Sequence, residues 1–65
     1  MNNNYYILVH DNKYSDERVI KKVLAHDVGR CIEAIRGQGC KCGCWDLEGW
    51  QRVKHNVRNG KTQLT

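Results

Sequence analysis

A chain of 65 residues with six glycines, no proline and no phenylalanine makes one domain, near the size limit at which a hydrophobic core alone leaves net stability. It has too few large side chains to wall off a ligand pocket of about 300 Å³ or more, which argues against an enzyme and against a small-molecule substrate. The formal charge of +4 is uneven: residues 1–29 hold four acids and four bases, residues 30–65 three acids and seven bases, a distribution that suits an anionic partner, either nucleic acid or an acidic protein surface.

Met1 to Asn4 reads as a disordered lead with nothing to bury. No signal-peptide pattern follows, and no run approaches the roughly 20 apolar residues of a membrane span. A cytoplasmic protein without membrane association is therefore expected, and in that compartment cysteines are thiols or metal ligands before they are disulfides. Tyr5 to Val9 is aromatic and branched, closes on the turn-prone Asp11-Asn12, and reads as a strand that needs a partner.

From Ser15 to Gly37 the apolar residues Val19, Ile20, Val23, Leu24, Val28, Cys31, Ile32 and Ile35 fall on one stripe of a 3.6-residue helix. Ser15 suits the N-cap, Asp16 and Glu17 the first turn, and Arg36-Gly37 the end. The weak point is Ala25 to Gly29, where Asp27 suits the cap of a second helix running to Arg36. One bent helix and two short ones both remain open.

Gly37 to Cys44 packs three glycines and three cysteines into eight residues and reads as a loop. Residues 46–58 are ambiguous. Leu47, Trp50, Val53 and Val57 fit a helical stripe capped by Asp46 and ended by Gly60, while Trp45, Leu47, Val53 and Val57 also fit one face of a strand. Asn59-Gly60 is a strong hairpin signal, since both turn positions tolerate positive φ, and a hairpin would supply the strands that Tyr5 to Val9 requires. The predicted fold is a small single α+β domain: an N-terminal strand, a central amphipathic helix, either continuous or broken near residues 25–29, a Cys/Gly-rich loop and a C-terminal β-hairpin.

Two sets of residues carry candidate chemistry. Cys40, Cys42 and Cys44 alternate and would share a face in an extended chain, with Cys31 near the helix end; four thiolates can hold zinc and staple a small fold. Single-residue spacing departs from common zinc sites and is closer to soft-metal thiolate clusters, and the same cysteines also serve as small hydrophobes and free thiols, or as a disulfide. His26 and His55 are substitute ligands. The second set is Trp50, Arg52, Lys54, His55, Arg58 and Lys61, all beyond the last acid, Glu48. On a strand, Trp50, Arg52 and Lys54 would share a face, an aromatic platform beside two cations suited to base stacking with phosphate contacts or to a protein hot spot. The plain alternative is that Trp50 is core. No catalytic constellation is present: His26 lies five residues before Cys31, and Asp46 and Glu48 have no pocket in view.

The order of strand Tyr5–Val9, helix Ser15–Arg36, glycine-rich loop and Asn59-Gly60 hairpin resembles the small phage-encoded inhibitors of host machinery, anti-CRISPR proteins among them. The resemblance is one of organisation and covers most of the chain. It implies a non-enzymatic inhibitor or modulator of a nucleic-acid-handling complex. The rival reading is a metal-binding or redox thiol protein centred on Cys31, Cys40, Cys42 and Cys44.

Overall fold

The computed structural model describes residues 4–64. Residues 1–3 of the expected lead lie outside them, while the Asn4 carbonyl accepts a hydrogen bond from Ala25 N (2.8 Å). The chain folds as a small α+β domain in the order β1 (Tyr5–Asn12), β2 (Ser15–Leu24), one 3-10 turn (Ala25–Asp27), α1 (Val28–Gly37), β3 (Cys42–Asp46) and α2 (Leu47–Arg58). The three strands form an antiparallel sheet in the order β2-β1-β3, so the expected strand becomes the central one.

Each face of the sheet is covered by one helix. Ile7 and Val9 pack with Trp50, Val57 and Leu64, flanked by Trp45 and Val53, on the α2 side. Leu8 packs with Ile35 and Cys42, flanked by Val23, Cys31, Ile32, Cys40 and Cys44, on the α1 side. Leu8 and Val9, both fully buried, point to opposite faces because side chains alternate along a strand. Each contributes about 1.5 to 3 kcal/mol by leaving water.

Two expectations are corrected. Residues 15–24 are strand rather than the first half of a helix. Their apolar residues come as the adjacent pairs Val19-Ile20 and Val23-Leu24, one member on each face of the sheet, and this doubling imitates a helical stripe. The helix that forms is the second of the two short ones, α1, with Asp27 at its N-cap position but without a side-chain capping bond. It ends beyond Gly37: Gly39, at φ +81°, lets Gly39 N reach Arg36 O (2.9 Å) and Cys40 N reach Ile35 O (3.2 Å), a Schellman closure.

The second correction is the C-terminal hairpin. Residues 47–58 are helix, the Asp46 side chain accepting from Gly49 N at 2.7 Å. A type I′ turn needs positive φ at both central residues, whereas Asn59 has φ −88° and Gly60 +72°. Gly60 N bonds Val57 O (3.2 Å) and Lys61 N bonds Asn56 O (2.9 Å), so Asn59-Gly60 closes a helix. The strand that completes the sheet comes instead from the presumed loop. Gly43 belongs there because a Cβ would stand 2.7 Å from Trp45 Cη2 and 3.0 Å from Leu64 Cδ2.

Candidate functional site

The basic set is divided by the helix it lies on. Trp50 is core: 6% exposed, its ring centroid is 6.0 Å from that of Trp45 with the planes at 49°. On a helix Arg52 is turned well away from Trp50, while Lys54, one turn further on, shares the side of a ring that is itself buried, so the expected platform of Trp50, Arg52 and Lys54 is not assembled. What α2 presents outward is Gln51, Arg52, His55, Asn56 and Arg58, all exposed, with Lys54 half-buried and Lys61 exposed just beyond.

These groups are tied to one another and to acids. Lys54 Nζ donates to Gln51 Oε1 (2.8 Å), Asn59 Nδ2 and His55 Nε2 are 3.1 Å apart, and Arg52 Nη2 lies 3.7 Å from Glu48 Oε1. Arg58 lines a shallow cleft of about 420 Å³ together with Asp16, Glu17, Arg18, Ile20, Asn59 and Gly60. The basic tail is thus partly compensated in space although no acid follows it in sequence. Arg18 closes that end of the molecule by donating from Nη1 to the Val57 carbonyl (2.9 Å), a link between β2 and α2 that sequence spacing did not reveal.

The four cysteines do come together, on the α1 side of the sheet. β3 places Cys42 and Cys44 on one face, as their alternation implied; Cys31 comes from α1 and Cys40 from the residue after its cap. All four are free thiols. Among the described residues no three His, Cys, Asp or Glu side chains are arranged to hold a metal ion, so the thiols converge without composing a tetrahedral zinc set. Burial pushes the Cys44 thiol above its ordinary range, with Cys42 beside it adding to the rise. That keeps it protonated and weakens it as a nucleophile.

His10 was missed by sequence reasoning. It stands opposite Cys42 in the β1–β3 ladder, with Nδ1 2.8 Å from the Asp11 carbonyl and a buried Nε2 that has no hydrogen-bond partner. The available signal was phase: Leu8 and His10 share a face if the first strand runs past Val9. His26 is on the other hand peripheral, 3.7 Å from Asp27 on the surface.

No protein-family model, no curated protein and no solved structure matches this chain. Two of the four features behind the resemblance to phage inhibitors, the helix starting at Ser15 and the terminal hairpin, are a strand and a helix end in this fold. Among the described residues no helix is long and apolar enough to cross a membrane.

Proposed function

We propose that this protein is a small non-enzymatic regulator that binds nucleic acid through the outward face of α2. The observation that carries the reading is the division of that helix. Its apolar residues Trp50, Val53 and Val57 are spent on the sheet, leaving an outer face of guanidinium, imidazole and carboxamide groups, about 18 Å long, with Lys61 at its end. Arg and Lys meet phosphates, and Asn and Gln suit base edges. Because Trp50 is buried, base stacking has no part in the contact. The Arg52–Glu48 pair is exposed on both sides and so costs little to open toward a phosphate.

Fluorescence anisotropy of labelled duplex and single strands at two salt concentrations tests this. Binding should weaken steeply with salt, and each Lys or Arg removed should lower the slope of log K against log salt by about 0.7 to 0.9. Absence of binding at about 50 mM salt, where such contacts are strong, defeats the direct reading and leaves a modulator acting on an acidic face of a nucleic-acid-handling complex.

A second reading is favoured by one observation, the gathering of Cys31, Cys40, Cys42 and Cys44 on a single side of the sheet. There the protein works through its thiols, holding zinc or a softer metal once their rotamers adjust. Stoichiometric metal in protein purified without chelator, with fewer than four titratable thiols, supports it; a blank metal analysis with all four thiols titratable rejects it.

A further inference from the structure

The outer edge of β2 is a long stretch of backbone without a partner. The ten-residue strand Ser15–Leu24 lies at the end of the sheet order, and among the described residues no backbone–backbone hydrogen bond outside its ladder with β1 reaches it, although Glu17 N donates to Ser15 Oγ (3.0 Å). Open edges are templates for another chain, and charge normally guards them. Here Asp16, Glu17, Lys21 and Lys22 are all exposed.

The order of those charges is specific. The two acids precede Val19 by the same distances at which the two bases follow it. In an antiparallel pairing of β2 with β2 of a second copy, centred on Val19, Asp16 falls opposite Lys22 and Glu17 opposite Lys21, and two-fold symmetry makes each pair occur twice. A slip of one residue either way keeps only half of these pairs, and a slip of two keeps none while placing Arg18 against Lys22 or against itself. The irregularity in the ladder does not spoil this phase. Between His10↔Val19 and Asn12↔Ser15, β1 advances two residues and β2 four, an even insertion that keeps Ser15 and Val19 on one face, with Asp16, Glu17 and Arg18 in the inserted segment.

Two exposed apolar side chains belong to the β1–β2 hairpin. Of Tyr14 (93%), Leu47 (42%) and Ile20 (39%), the large hydrophobics most exposed to water, Tyr14 is in the β1–β2 turn and Ile20 is next to the proposed axis. We infer that this protein self-associates through β2, two copies joining edge to edge in the Val19-centred register. The product is one six-stranded antiparallel sheet with like helices on like faces. The same lysines that repel other strands select this one; Asp16 and Glu17 also line the cleft that holds Arg58 of α2, so the pairing edge and the nucleic-acid face adjoin at that end.

The test uses the full chain in sedimentation equilibrium from about 10 µM to about 1 mM, a range that brackets weak association. The parent should be dimeric at the upper end at low salt, and the dimer should weaken as salt rises. Two double variants, Asp16→Lys with Glu17→Lys and Lys21→Glu with Lys22→Glu, should each stay folded by circular dichroism and lose dimer affinity by about tenfold or more. Mixed together they should form a heterodimer, since every cross-strand pair is then of opposite charge. Amide exchange of the parent supplies a variant-free check: protection in β2 should rise with concentration while β3 is unaffected. A parent monomeric at about 1 mM, variants that dimerise like the parent, or a mixture that does not associate would each overturn the proposal.

Discussion

The two faces of the sheet are covered by helices of similar length but built from different material. On the α2 side two tryptophans, Val57 and Leu64 close over Ile7 and Val9, and Trp50 and Val57 are buried. On the α1 side a single buried helical residue, Ile35, meets Leu8 and the buried Cys42, and the residues around them are half-buried and rich in thiols. Aromatic rings bury far more area per residue than Cys, so the α2 side holds the fold. The α1 side is the one able to rearrange.

The largest test of that contrast is Trp50→Ala. It should cost about 3 to 5 kcal/mol, comparable to the whole stability of a domain this small, and chemical denaturation should find the variant unfolded or nearly so. Ile35→Ala, on the softer side, should cost about 2 kcal/mol, the low end for a buried aliphatic residue, because the surrounding thiols can relax into the space. An equal or larger loss at Ile35 would reverse the assignment.

Smaller effects separate the two helix ends from each other. Gly60→Ala forces a Cβ into a left-handed backbone and should destabilise by about 1 kcal/mol. Gly37→Ala, at the last residue of α1 with nothing within 4 Å of its Cβ, should instead stabilise by up to about 0.5 kcal/mol. Thermal melts of the pair should therefore shift in opposite directions.

The smallest expected effect is on pH. The folded state raises the pKa of Cys44, chiefly by burial, so above the ordinary thiol range the unfolded chain releases its proton first. Stability then falls as pH rises through that window and levels off above the raised value. Cys44→Ala should remove this slope in urea melts taken across alkaline pH, while Cys31→Ala should leave it in place.

Legibility followed the same division. Tyr5 to Val9 was readable because strand composition is local, and the Asp46 cap with the stripe Leu47, Trp50, Val53, Val57 contained α2 in full. Asn59-Gly60 misled because the same dipeptide closes a helix when only Gly60 takes positive φ. Val19-Ile20 and Val23-Leu24 misled because adjacent apolar pairs show no strand alternation and fit a helical stripe equally well, although no residue of 15–24 is buried. The cysteine alternation correctly placed Cys42 and Cys44 on one face, while their neighbours His10 and Leu8 became visible only through the β1–β3 register.

The central claim is that α2 spends its tryptophan on the core and its polar face on a polyanion, and one paired measurement addresses it. Arg52, Lys54, Arg58 and Lys61 are replaced together by Gln, and thermal stability and duplex affinity are read on the same samples at two salt concentrations. The account predicts stability within about 1 kcal/mol of the parent, since surface substitutions change it little, together with loss of duplex binding and of most of its salt dependence. Unchanged affinity and salt slope in a folded variant would contradict it.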